Sequence, residues 1–286
     1  MKISLMTPWD NAWVPLFKAE IESRGHEYRL NQNGSDVYIH GWASGDTQPI
    51  EGARNIYFLR RYELFAGGLH RIDWSKVDAL ICVNSWIADV AIRILESIGH
   101  KDFPVHLIYN AFNPALWKYR QDRKPNHKIG MACHVHPKKN LPLAMQILMA
   151  LPEHYELHIA GEVQDPCTAE YLNELGKNAR RKVYLYGHIE RGDLDFWWEQ
   201  MGFCLSTSIS EGNPNNVLEA MAKGIKPVVH SWPGAEDQFF PVFHSVKEAV
   251  NLIRSQDYTP EIYRAEVELN YSKDNIAKAV DIAVGP

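Results

Sequence analysis

The stretch SISEGNPNNVLEAMAKGIKPVVHS, residues 208–231, is punctuated at each boundary. Asn213 is a favoured N-cap residue type, and Pro214 suits a first helical position, where a missing N–H costs nothing. Val217, Leu218, Met221 and Ala222 then recur at helical spacing, and Gly224 after Lys223 reads as the stop. The β-branched run IKPVVHS follows as a strand, so the unit reads loop, helix, strand. The backbone N–H groups of Asn215, Asn216 and Val217 lie at the start of that helix, where the macrodipole favours an anion. Glu211 and Glu219 flank this anion site, and there carboxylates would repel the ligand unless they gripped hydroxyl groups. Taken alone, the pair reads equally well as solvated surface charge.

Working outward, strand-length apolar runs alternate with helical patterns, as parallel α/β layering requires. KISLMT, DVYIHGWA, NIYFLR, ALICVNS and VHLIYN are the strand candidates of the first half. The helices expected between them are PLFKAEIESRG, ended by Gly25, and SWIADVAIRILESIG, with Ser85 as its cap. NPALWKYRQDRKPNH then breaks the pattern with prolines and charges. The second half restarts with KIGMACH, LPLAMQILMAL, YELHIAG, AEYLNELGKNA, VYLYGH, DLDFWWEQM and FCLSTS, and a last helix, SKDNIAKAVDIAV, has Ser272 as its expected cap. The predicted organisation is an α/β domain over residues 1–112, a linker over 113–126, a second α/β domain over 127–258 and a helical segment over 259–286. Open parallel sheets bind ligands at the carboxyl ends of their strands, so a cleft between two such facing layers is the expected site.

Composition agrees with this reading. A chain of 286 residues, 45% hydrophobic, can bury cores for about two domains. No apolar run approaches the roughly 20 residues of a membrane span, and MKISLMTPWD reads as a buried strand start without a signal-peptide pattern. Cys82, Cys133, Cys167 and Cys204 are widely separated, which suits a reducing compartment, and the expected location is cytoplasmic. A net charge of −5 argues against general nucleic-acid binding.

Several of these segments resemble one family. SEGNPNNVLEAMAKGIKPVV looks like the hallmark of the group 1, or family 4, retaining glycosyltransferases of GT-B fold, and VYLYGHIERGDLDFWWEQMGFCLSTSISEG resembles the run before it. YELHIAG, VHLIYNAFNPALW and YSKDNIAKAV resemble further landmarks, in the family's order. The resemblance implies two Rossmann-like domains facing across a cleft, with a C-terminal helix crossing back to the first. It also implies a metal-independent transfer of sugar from a nucleotide-sugar donor, UDP- or GDP-linked, with no separate cofactor. By the same resemblance, Glu211 would lie against the donor sugar near the anomeric carbon and Glu219 would hold the ribose hydroxyls. The N–H groups of Asn215, Asn216 and Val217 would bind the phosphates, and His188 and Ile189 would lie near the base.

The match departs from the family in three places. Where the family carries an arginine and, five residues on, a lysine against the diphosphate, CHVHPKKN has His134 and Lys139. A histidine of ordinary pKa is mostly neutral at pH 7, so Lys139 is expected to carry the leaving-group charge, with Lys138 as helper. The glycine-rich loop after the first strand is replaced by TPWDNAWVP, whose Trp9 and Trp13 would serve either as sugar-stacking rings or as core. In place of a histidine after the fourth strand stands YFLRRYELF, where Arg60, Arg61 and Glu63 are the sugar or acceptor candidates.

Other patterns have plainer readings. Asp193 and Asp195 of DLD match an Asp-x-Asp metal motif, but a helix start there makes Asp193 an N-cap and Asp195 a dipole partner. Cys133 to His136 lack the second ligand pair of a zinc site. RRYE is read either as a peripheral contact with an anionic membrane or an acceptor phosphate, or as a solvated edge. The expected partners are therefore a nucleotide-sugar donor and an acceptor of undetermined class: glycan, lipid, small molecule or modified nucleobase. Two rivals share the architecture: a nucleotide-sugar epimerase, and a catalytically silent nucleotide-sugar-binding protein.

Overall fold

The computed structural model describes residues 1–8 and 13–285 and divides into two α/β units, Met1–Asn113 with Tyr271–Pro286, and Pro114–Asn270. In the first unit, β1 (Lys2–Met6), α1 (Val14–Ser23), β2 (Glu27–Leu30), β3 (Val37–His40) and β4 (Arg54–Leu59) are followed by α2 (Tyr62–Phe65), β5 (Ala79–Cys82), α3 (Ser85–Ser97) and β6 (Val105–Leu107). Its sheet is parallel throughout, in the order β2-β1-β3-β4-β5-β6. The central strands are buried along almost their whole length, which is why they read as apolar runs, whereas β2 at the edge is exposed at both ends and only half-buried between them and escaped the sequence reading. Asn84, not Ser85, caps α3: its side chain accepts from the Ile87 N–H at 3.1 Å, because the residue before the helix is the extended one.

The second unit begins where a linker was expected. From Pro114 the segment packs inside it, and the buried guanidinium of Arg123 donates to the carbonyls of Lys223 and Met201 and pairs with Glu199 at 2.8 Å. Then come β7 (Lys128–Ala132), α4 (Leu141–Ala150), β8 (Glu156–Ala160), α5 (Pro166–Asn178), β9 (Lys182–Leu185), α6 (Arg191–Glu199), β10 (Phe203–Ser206), α7 (Asn215–Ala222), β11 (Lys226–His230), β12 (Val242–Phe243), α8 (Val246–Arg254) and α9 (Pro260–Asn270). The strand order β12-β11-β10-β7-β8-β9, all parallel, reverses between β7 and β10. Read from β9, this is the order of the dinucleotide-binding fold, whose crevice opens where the chain changes direction.

Residues 259–286 do not form one segment. The α9 helix stays in the second unit, where Arg264 donates to the carbonyls of Ala222 at 2.8 Å and Pro114 at 2.9 Å and Pro260 packs against Gly224. The chain returns to the first unit only from Tyr271, whose carbonyl accepts from the Phe112 N–H at 2.7 Å. There α10 (Asp274–Val284) lies on α1, β3 and β4, held by an Arg24–Asp281 ion pair and by Arg54 donating to the Ile282 carbonyl at 3.1 Å. Ser272 accepts from the Asp274 N–H at 3.2 Å, so its side chain binds the first turn, although the helix itself starts after Lys273.

Candidate functional site

At the reversal point, the loops after β7 and β10 turn away from each other and leave a cavity of about 370 Å³ at the strand ends of the second unit. His134 and Lys139 reach it from the β7 side, and Glu211, Asn215, Asn216 and Glu219 from the β10 side. His188, Ile189 and Leu194 close it beyond β9. Eight residues singled out on the nucleotide side of the sequence are thus gathered at one cavity, although they span residues 134 to 219.

The β7 loop is shaped by local bonds. Pro137–Lys139 form a single 3-10 turn in which the His136 ring accepts from the Lys138 N–H at 3.1 Å, and Asn140 is left-handed. Two bonds then sew this turn to the β10 loop: the Thr207 hydroxyl donates to the Lys139 carbonyl at 2.7 Å, and the Ile209 N–H donates to the Lys138 carbonyl at 3.0 Å. The Lys139 ammonium meets the Glu211 carboxylate at 2.5 Å, both side chains being largely buried. Burial pushes the Glu211 carboxyl up, but Lys139, then Lys138 and Ser208, outweigh it and hold the group below the usual carboxylate range.

Gly161 completes the floor. It ends β8 with φ +155°, and a Cβ there would stand 2.2 Å from the Cys133 carbonyl oxygen and 2.8 Å from the His134 nitrogen. Only glycine lets the two strand ends approach this closely, which sets the height of the His134 backbone above the sheet. The His134 ring itself is half exposed, with its Nδ1 4.0 Å from Glu162.

The α7 start differs from the sequence reading. Pro214 is the extended residue at the N-cap, and Asn213 lies one place further out, where its amide donates to Gln238 at 2.8 Å instead of capping the helix. The Val217 N–H is taken by the Pro214 carbonyl at 3.1 Å and the residue is fully buried, so Val217 is not among the groups that can meet a ligand. The N–H groups of Asn215 and Asn216 have no acceptor among the described residues. Gly224, with φ +78°, ends the helix as expected: its N–H donates to the Met221 carbonyl at 2.9 Å.

Glu219, eight residues on from Glu211 and inside α7, meets the opposite environment. Burial pushes its carboxyl up to about 7, with the Trp198 indole and Arg191 pulling only partly the other way. The α6 helix carrying Trp198 starts at Arg191 behind an N-cap Glu190, so Asp193 sits inside the first turn and not at the cap. Asp195 is held by the fully buried Lys223 ammonium at 2.6 Å and accepts from the Lys118 N–H at 3.2 Å. Among the described residues no group of three or more His, Cys, Asp or Glu side chains is placed to hold a metal ion.

The acceptor-side candidates fall in the first unit. Arg60 is buried, donates to the Gly41 carbonyl at 3.0 Å and to Asn110, and lies 4.4 Å over the Trp13 ring, itself packed edge-on against Phe17. Burial lowers the Arg60 guanidinium to about 10, opposed by Glu63. Glu63, with no exposure, accepts from the Arg60 and Arg61 N–H groups at 3.2 and 2.9 Å. Arg60 and Glu63 are thus the frame of the strand end, not a solvated edge, because their charges are met inside the unit. The Arg61 guanidinium stacks 4.9 Å over Phe65. Glu63, Thr7, Trp42 and Tyr62 border a separate cavity of about 430 Å³ in this unit. Trp9 lies outside the described residues. No described helix is long and apolar enough to cross a membrane.

Two parallel six-stranded sheets in one chain, the second with its reversal-point cavity, define the GT-B glycosyltransferase fold. Residues 126–257, in the second unit, match the family described as glycosyl transferases group 1. Among solved structures it is similar to Anabaena Alr3699/HepE in complex with UDP and glucose, at 13% identity and TM-score 0.73, covering 99% of each chain. It is likewise similar to AviGT4, a glycosyltransferase of avilamycin A biosynthesis, at 14% identity and TM-score 0.69 over 100% of this chain and 99% of that one. The lipopolysaccharide outer core galactosyltransferase WaaB also aligns, at 14% identity and TM-score 0.69 over 99% of both chains. No curated protein matches the chain in sequence.

The raised Glu219 pKa has a measurable consequence. Between its unfolded value near 4.5 and about 7 the folded chain holds the proton more tightly, so this group's contribution to stability falls as pH rises through that window. Glu219→Gln is therefore expected to stabilise the protein at pH 8, by on the order of 1–3 kcal/mol, and to have little effect at pH 4.5. Urea denaturation at both pH values checks this, and an equal effect at both would show that Glu219 is not desolvated.

Proposed function

We propose that the protein is a retaining glycosyltransferase that moves a sugar from a UDP- or GDP-linked donor to an acceptor hydroxyl without a metal ion. The observation that carries this reading is the single cavity that gathers Lys139, Glu211, Glu219 and the α7 start. Cationic Lys139 and the N–H groups of Asn215 and Asn216 suit a diphosphate, and a buried carboxylate such as Glu219 suits a pair of ribose hydroxyls that donate to it. His188, Ile189 and Leu194 form the base end of the cavity. The HepE complexes with UDP and UDP-glucose support a UDP-linked donor.

In the reaction, the bond between the anomeric carbon and the departing phosphate oxygen breaks as the acceptor oxygen bonds to the same face. The acceptor proton passes to the phosphate oxygen, and the nucleoside diphosphate leaves. Charge grows on that phosphate in the transition state, which is where Lys139 acts. Glu211, kept ionised by Lys139, faces the positive charge developing at the sugar. The acceptor is assigned to the first unit, whose cavity is bordered by Trp42 and Tyr62.

A thermal-shift screen against UDP, GDP, ADP and their sugars tests the reading directly. The cognate nucleotide at 100 times its Kd is expected to add about 2.7 kcal/mol of stability, and no shift with any of them would overturn the assignment. Lys139→Ala is expected to lower kcat/KM by about 10²- to 10³-fold, by analogy with removing one preorganised donor from developing charge. A near-normal value would place the phosphates elsewhere. Because Lys223 holds Asp195, transfer is expected to survive EDTA, and loss restored by Mn²⁺ would show a metal-dependent enzyme.

A further inference from the structure

The loop Glu211–Pro214 carries the sugar-side carboxylate and delivers the chain into α7, so its position sets where the phosphates and the anomeric carbon can lie. It has little regular structure of its own. A second segment, the turn after β11, reaches across to hold it. Trp232, Ala235 and Phe239 are buried, and the turn is closed by the Ala235 N–H donating to the Trp232 carbonyl at 2.8 Å and the Phe239 N–H to the Ala235 carbonyl at 2.8 Å. Between those anchors stands Gln238, 3% exposed, its Nε2 donating to the Gly212 carbonyl at 2.9 Å and its Oε1 accepting from the Asn213 amide at 2.8 Å.

The chemistry of this fork selects its residue. A backbone carbonyl can only accept, so the Gly212 oxygen fixes which end of the Gln238 amide faces it. The remaining Oε1 can only accept, and this in turn fixes the Asn213 amide. One neutral side chain thereby aligns two consecutive residues between Glu211 and the α7 start. A carboxylate would confront the Gly212 oxygen with a second acceptor, and an apolar side chain would leave both loop groups without this partner.

We propose that Gln238 is a positioning residue for donor binding: it holds the Gly212–Asn213 segment in the geometry that the diphosphate requires, without itself touching the donor. Its effect is therefore confined to ligands that reach this loop. The nucleoside part of the donor rests on Glu219 and on the far end of the cavity, neither of which Gln238 contacts. The proposal depends on the nucleotide-sugar reading of this cavity, and diphosphate and nucleoside ligands distinguish the two.

The test compares wild type with Gln238→Met, nearly isosteric but unable to form either bond, and with Asn213→Ala, which removes one arm and spares the buried turn. Kd values are measured by calorimetry for UDP and uridine, or for GDP and guanosine if the screen selects guanine, with Tm recorded for each variant. Gln238→Met is expected to weaken the diphosphate about 10-fold and Asn213→Ala about 3-fold, while the nucleoside changes by less than 2-fold. If Gln238→Met does not fold, Gln238→Glu, which keeps the size of the side chain but cannot donate to the Gly212 carbonyl, carries the same comparison, because Asn213 itself borders the cavity. Equal weakening of diphosphate and nucleoside would mean a general loss of structure, and unchanged diphosphate binding with a lowered Tm would mean a role in stability alone. Either result overturns the proposal while leaving the nucleotide site intact. Wild type that binds neither ligand overturns the proposal together with the reading on which it rests.

Discussion

The Thr207 hydroxyl on the Lys139 carbonyl and the Ile209 N–H on the Lys138 carbonyl join two loops that belong to neighbouring strands but lead the chain in opposite directions. The reversal of strand order between β7 and β10 makes the space between these loops, and the two bonds keep it from opening further. With the backbones fixed at this distance, the Lys139 side chain has Glu211 within reach and the α7 start faces the β7 loop. Gly161 imposes the same constraint from the other side, since any side chain there would push the β7 loop away.

Within this frame, two glutamates eight residues apart acquire different chemistry. Glu211 is largely buried beside an ammonium that holds its carboxyl below the usual range, whereas desolvation with only weak compensation pushes the Glu219 carboxyl up to about 7. The difference arises from which neighbours the fold supplies and not from the residue type. It also divides the proposed work: a compensated charge can face a developing cation, and an uncompensated acceptor is stabilised by hydroxyl groups that donate to it. Elsewhere the unit meets its buried charges internally, as Lys223 does with Asp195 and Glu199, and such networks hold helices together.

Much of the fold could be read along the chain because its central strands are buried on both faces and so appear as unbroken apolar runs. The edge strand β2 could not, since none of its residues is fully buried and its pattern matches that of a loop. Helix ends were harder still. The rule that a small polar residue caps a helix pointed to Asn213, Ser85 and Asp193, but the choice among adjacent candidates depends on which residue is extended. The Asn213 side chain instead donates to Gln238, a residue 25 positions away. The stretch 113–126 looked like a linker because it is polar and proline-rich, yet the charge of Arg123 is buried against Glu199. Composition cannot distinguish a solvated charge from one that meets its counter-ion across the fold.

What the sequence determined by itself is the α/β class and the helix between Pro214 and Gly224, and it named the residues that line the candidate site, because local propensity, apolar periodicity and a spaced motif are all properties of short stretches. Only the tertiary structure decided that Lys139 pairs with Glu211, that Glu219 is desolvated, that the Val217 N–H is already used, that Arg60 and Glu63 are part of the frame, and that Gln238 bridges Gly212 and Asn213. Each of these depends on groups distant in sequence meeting at hydrogen-bonding distance in a place from which water is largely removed. Their energies come from desolvation and from the geometry of the partner, and neither is a property that a residue carries along the chain.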